Sequence, residues 1–134
     1  MKKLAILSFS IVLLTNFALA GARDLFQPLS LDDALKQAEQ NNKPVLAKFD
    51  ATWCGWCRAM DVQTFSNKEV QASLQDYITI KVDVDTDAGK AIAQRYGVRG
   101  TPYIAIFQPD GSLSYSQPGF QGPKDFLTTL KELE

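Results

Sequence analysis

The chain has 134 residues, of which 46% are hydrophobic and 22% charged; its net charge is −1 and it contains no histidine. That is the composition of one small folded domain with a core of its own. Lacking any basic stripe, it is not expected to bind nucleic acid, and without histidine it excludes Cys-His and Ser-His nucleophile pairs and the commoner His-containing zinc sites.

Lys2 and Lys3 precede an apolar run from Leu4 to Leu14, a mixed Thr15-Asn16-Phe17 segment and the small-residue pattern Ala18-Leu19-Ala20. This is the layout of a Sec-type signal peptide over residues 1–20, cleaved after Ala20. Ser8, Ser10 and Asn16 interrupt the run, which falls short of the roughly 20 residues a membrane span needs. No stable membrane insertion is therefore expected after cleavage. Gly21 stands where a lipid-anchored protein would carry a cysteine, and Lys131-Glu132-Leu133-Glu134 is not an ER-retention signal. Residues 21–134 are expected to form a single domain in the bacterial periplasm, where disulfides persist. A small acidic domain of this kind, with no spare dimerisation segment, is expected to be a monomer.

Leu25, Phe26 and Leu29 form a lead-in that packs as a flap or edge strand. Ser30 is a good N-cap, with Asp32 and Asp33 in the first turn of a helix that carries Leu31, Ala34, Leu35 and Ala38 at helical spacing and ends near Asn41-Asn42. Val45 to Phe49 is continuously apolar apart from Lys48, as in a central strand buried on both faces and paired in parallel. A helix follows from Cys54 to about Val62, with another turn or two from Asn67 to Gln75. Tyr77 to Val82 alternates as a strand, Asp87 to Tyr96 reads as a helix ended by Gly97, and Tyr103 to Phe107 is a second apolar strand. Pro109-Asp110-Gly111 turns that strand into a hairpin with Ser112 to Ser116. The last helix runs from Pro123 to Leu133 with Pro123 in its first turn. Strands separated by helices and closed by a hairpin give an α/β fold with a mixed sheet covered on both faces.

The two cysteines, Cys54 and Cys57, stand three positions apart in Trp53-Cys54-Gly55-Trp56-Cys57, directly after the buried strand. A structural disulfide derives its value from closing a long loop, and two intervening residues close almost none. A redox-active pair is the better reading. At the start of a helix, Cys54 lies over unpaired backbone N–H groups that favour thiolate, so it is the expected nucleophile and the more exposed sulfur, with Cys57 as the resolving thiol. Asp83, Asp85 and Asp87 have metal-like spacing but lack the glycine and glutamate of a calcium loop, so they read as strand-end and N-cap acids. Arg58 and Arg99 read as solvated charges near the site.

The element order, the Trp-Cys-Gly-Trp-Cys motif and Gly97-Val98-Arg99-Gly100-Thr101-Pro102 before an apolar strand together resemble the thioredoxin superfamily. Thr64-Phe65-Ser66-Asn67-Lys68-Glu69-Val70 and Gly119-Phe120 look like the periplasmic C-terminal domain of the transmembrane disulfide reductase DsbD and its small secreted relatives. The resemblance covers roughly Lys43 to Leu133. It implies a thioredoxin fold, a thiol:disulfide oxidoreductase acting on protein disulfides or dithiols, no metal or organic cofactor, and an inner-membrane thiol carrier as electron donor. It also implies a cis peptide before Pro102, whereas X-Pro bonds are otherwise mostly trans, and a substrate chain pairing with the Thr101 backbone in strand fashion. Trp53 reads equally as core or as contact surface; Trp56, between the cysteines, reads as an apolar surface for partners.

Gly55-Trp56 has neither the histidine nor the proline of strongly oxidising relatives, which points towards a reductase. A disulfide-introducing oxidase is the alternative within the same chemistry, and a CxxC soft-metal chaperone or binding module is the alternative outside it. Two positions depart from the family. Many thioredoxins carry a buried acid six residues before the first cysteine, where this chain has Lys48. Its ammonium either reaches solvent past a packed stem, or sits near Cys57 as a cation that favours the thiolate, or acts as a base. Asp50, two residues on, is a further candidate for the acid's role. Val62 stands where thioredoxins have a helix-kinking proline.

Overall fold

Val45 to Phe49 are all 0% exposed, and a run with no solvent face has to lie between two strands and two layers. Together with Asp50 they form β1 (Val45–Asp50), which pairs in parallel with β2 (Ile78–Asp83) and antiparallel with β3 (Tyr103–Phe107). The outer edge of β3 takes β4 (Leu113–Pro118), so the sheet order is β2-β1-β3-β4. This computed structural model describes residues 24–134, and the expected signal peptide lies outside them. Among the described residues no helix is long and apolar enough to cross a membrane.

Alternation along β1 sends its side chains to two cores. Val45, Ala47 and Phe49 pack with Ile78, Ile80 and Phe107 under α1 (Leu31–Asn41) and α4 (Asp87–Arg95). Leu46 joins Ile104 and Ile106 on the other face, against Met60, Phe65, Phe126 and Leu130. Those residues come from α2 (Gly55–Met60), the π-helical turn that continues it (Asp61–Phe65), and α5 (Pro123–Glu132); α3 (Lys68–Ser73) adds Val70. Lys48 therefore belongs to the same face as α2.

Local chemistry sets the ends. The Ser30 hydroxyl accepts the Asp33 N–H at 3.1 Å, and α1 stops on Asn42 in the left-handed region, φ 51°. Asn67 caps α3 by accepting the N–H groups of Glu69 and Val70. The lead-in attaches to the free edge of β2 by one parallel bridge, Gln27 to Ile80, with the Gln27 N–H donating to the Thr79 carbonyl at 2.8 Å. The Thr79 hydroxyl donates to the Leu25 carbonyl.

Two boundaries differ from expectation by more than a single residue. The helix from the cysteines does not end near Val62 but widens into the π turn through Phe65. This leaves Val62 exposed and carries Thr64 and Phe65 inside, and such wide turns commonly lie beside functional sites. The second hairpin strand begins at Leu113 and reaches Pro118, because the Asp110 carboxylate accepts both the N–H and the hydroxyl of Ser112 and holds that residue in the turn. Those two bonds, the hydroxyl's first, keep the Asp110 carboxyl below its usual value. In an NMR pH titration the Ser112 amide signal is expected to hold through the ordinary aspartate range and to move only below it.

Candidate active site

After Asp50 the chain turns through Ala51-Thr52-Trp53 into α2, with the Cys54 N–H donating to the Ala51 carbonyl at 3.2 Å. Cys54 is the N-cap and Gly55 the first helical residue, one later than expected; helix ends commonly differ by this much. The Cys54 sulfur accepts the Cys57 N–H at 3.1 Å, and the two sulfurs are joined in a disulfide with their Cα atoms 5.3 Å apart. Ala51 and Val84 pack against the pair. Cys54 is 4% exposed and Cys57 1%, so the difference in accessibility expected between them is small.

The register Phe49 to Tyr103 brings the Thr101–Pro102 peptide, which is cis, to the sheet end from which α2 departs. Pro102 is buried, its carbonyl accepting the Gly119 N–H at 2.8 Å. Thr101 is half-buried, and its hydroxyl has no partner among the described residues.

Both tryptophans face solvent, which removes the core reading of Trp53. It is 67% exposed, tied by its indole N–H to Asp85 at 3.0 Å, while Trp56 is 66% exposed with its ring 5.6 Å from that of Phe120. Phe120 follows Gly119 and is anchored from behind: the buried Thr64 hydroxyl donates to the Gln121 carbonyl at 2.5 Å. The π turn and the proline loop thus hold one aromatic ledge beside the disulfide. Of the three aspartates with metal-like spacing, Asp83 accepts the Asp85 N–H, Asp85 holds Trp53, and Asp87 lies in the first turn of α4, whose cap is Thr86. Arg99 is exposed, whereas the Arg58 guanidinium donates to the Thr52 carbonyl at 2.9 Å and braces the turn before Cys54.

Lys48 does not reach solvent. Its ammonium is fully buried and donates to Asp50 and Asp61, both at 2.8 Å, and to the Cys57 carbonyl at 3.2 Å. The Phe65 ring lies 5.8 Å from the ammonium, and two carboxylates make burial of the charge tolerable. The other Asp61 oxygen takes Lys81 at 2.9 Å. Lys48 and Lys81 are register partners on neighbouring strands, and Asp61 relieves the repulsion between them. A cleft of about 400 Å³ opens on the outer side of these groups, lined by Asp50, Asp61, Lys81 and Arg58 among others. The sequence reading passed over Asp61, Lys81 and Phe120 as site residues. Asp61 was available from spacing, since positions 54, 57 and 61 lie along one helix face.

Comparison with known proteins agrees with this geometry. The model of the thioredoxin-like domain matches residues 31–134. The chain is 30% identical over 104 residues to the thiol:disulfide interchange protein DsbD of Ralstonia nicotianae, covering 75% of this chain and 17% of that protein. It is 35% identical over 91 residues to DsbD 1 of Pseudomonas aeruginosa, covering 66% of this chain and 15% of the other. The chain thus spans about a sixth of the length of these relatives. The oxidised C-terminal domain of Neisseria meningitidis DsbD superposes with a TM-score of 0.65 at 29% identity, over 78% of this chain and 93% of that domain. A thioredoxin from Thermus thermophilus gives 0.70 at 27% identity, over 77% and 82%. With the family model covering most of its length and the CxxC disulfide where the fold carries one, the chain belongs to the thioredoxin-like family.

Proposed function

We propose that this thioredoxin-like thiol:disulfide oxidoreductase reduces disulfides of secreted proteins in the bacterial periplasm, drawing electrons from a thiol carrier in the inner membrane. The observation that carries the reading is the Cys54–Cys57 disulfide at the strand-to-helix junction, bordered by an exposed aromatic ledge. The signal-peptide layout and the likeness to DsbD support the compartment and the donor. In the reduced protein Cys54 thiolate attacks a substrate disulfide and forms a mixed disulfide. Cys57 then attacks Cys54, the substrate sulfur leaves as thiolate, and the Cys54–Cys57 bridge is restored. One disulfide is exchanged for another with two electrons passed to the substrate, so no cofactor beyond the two sulfurs takes part. The donor closes the cycle by reducing the bridge.

Trp53, Trp56, Thr101 and Pro102, with Phe120, form the surface that meets the substrate chain, and the protein acts as a monomer. Trp56→Ala removes half of the aromatic ledge without touching the sulfurs. We expect it to slow reduction of protein disulfides about tenfold, the effect of losing one well-placed aromatic contact, while leaving reduction of a small soluble disulfide unchanged. Equal slowing of both substrates would place Trp56 in the chemistry instead.

The deciding experiment is the reduction potential of the Cys54–Cys57 couple in defined thiol buffers. A value near the roughly −270 mV of thioredoxin supports a reductase, and one near the roughly −120 mV of DsbA makes the protein an oxidase. Stoichiometric copper bound to the reduced protein would favour a metal carrier.

A further inference from the structure

The ammonium of Lys48 has three N–H donors, and Asp50, Asp61 and the Cys57 carbonyl take all three. With its donors saturated it offers no lone pair to a thiol, so the geometry does not provide a base there. The carboxylates are committed as well: Asp50 accepts Lys48 on one oxygen and the Ala51 N–H on the other, and Asp61 is divided between Lys48 and Lys81. The charges sum to zero, but they are layered. Lys48 is fully buried against Cys57, while the side chains of Asp50 and Asp61 are 18% and 32% exposed towards the cleft. Water screens the outer negative layer more than the inner positive one, so the least-screened charge beside Cys57 is the cation 3.2 Å from its carbonyl. Other charged groups at the cleft and its rim are Arg58 on α2, turned to the Thr52 carbonyl, Lys81 and Asp83 on β2, and Asp85, turned to Trp53; Arg99 in the proline loop is exposed.

We propose that Lys48 is a positioning residue, a fixed cation that stabilises Cys57 as thiolate for the resolving step. Resting on the exchange reading above, this assigns the step as follows. Cys57 releases its proton to water before attack; its sulfur bonds to Cys54, the bond between Cys54 and the substrate breaks, and the substrate sulfur departs with the electron pair. A carboxylic acid beneath the resolving thiol would exchange protons with it, whereas Lys48 only biases its charge.

The test uses the full chain with Cys54→Ser, leaving Cys57 as the single thiol, and follows thiolate ultraviolet absorbance against pH. Lys48→Met is expected to raise the midpoint by about one pH unit, the scale of one close opposite charge. Asp61→Asn strips part of the outer negative layer and is expected to lower it. A purely structural role predicts no such opposition of sign. Asp61 is partly exposed, so Asp61→Asn decides the matter if Lys48→Met does not fold. Midpoints that stay put, or that move in the same direction, overturn the proposal. The readout is independent of redox direction: an oxidising potential would overturn the reductase reading and leave Lys48's role intact.

Discussion

Replacing Cys57 by serine is expected to arrest the protein on its substrate as a stable mixed disulfide through Cys54, visible as a thiol-sensitive band of higher mass on non-reducing gels. Cys54 remains able to attack, but the hydroxyl that replaces the Cys57 thiol is too weak a nucleophile to release the substrate at neutral pH. Cys54→Ser is expected to give no adduct and to lower turnover by a factor on the order of 10⁴ or more, about 5 kcal/mol of barrier. The asymmetry between the two variants assigns the roles. Cys54 is the N-cap, with its sulfur accepting an N–H of the first turn, and Cys57 lies one turn deeper over the buried lysine. Trapping by Cys54→Ser and not by Cys57→Ser would reverse the assignment.

Gly89→Ala is expected to destabilise the protein by about 3 kcal/mol, although glycine to alanine inside a helix ordinarily gains about 1 kcal/mol. The reason is contact with backbone. A Cβ at Gly89 would lie 1.7 Å from the Asp83 carbonyl oxygen and 2.6 Å from its carbon, so α4 would have to lift off the end of β2. That carbonyl also accepts the Thr86 hydroxyl at 2.8 Å, and Thr86 accepts the Gly89 N–H at 3.0 Å, so cap and clash share one atom. Urea unfolding of the oxidised protein should show a lower midpoint at unchanged slope. Because the same turn carries Asp85, which holds the Trp53 indole, tryptophan fluorescence of the folded variant should shift too. A stabilised Gly89→Ala protein would mean that α4 docks at a greater distance.

The fold was legible because its strongest signals are local. Val45 to Phe49 announced a doubly covered strand through apolarity broken only by Lys48, and Ser30 and Pro123 marked helix starts through capping and φ restriction. The cysteines were legible from spacing alone. What could not be read is what the chain assembles from distant segments. Lys48, an isolated charge in an apolar strand, gave no sign of whether it would reach water or be enclosed; the outcome depends on Asp61, thirteen residues away, facing back across the sheet. The π turn escaped for a related reason, since it follows from seating Thr64 and Phe65 against α5 and the Gln121 loop rather than from propensity. Trp53 carried apolar surface with nothing to say which way it turned, whereas the place of Trp56 between the cysteines at the helix start pointed it outward, as found.

The asymmetry of the sheet separates two kinds of opening. Among the described residues β1 is bonded along both edges and buried on both faces, whereas β4 is mostly exposed and bonded along one edge only. Amide hydrogens of β1 should therefore exchange with solvent deuterium only through global unfolding, and those of β4 through local fraying. The loop bearing Phe120 continues from the fraying strand, while Lys48 and Asp50 sit on the strand that opens last. The Phe120 half of the aromatic ledge thus borders the strand that frays first, held there by the Gly119–Pro102 and Thr64–Gln121 bonds, while the charged floor beneath the disulfide keeps its form.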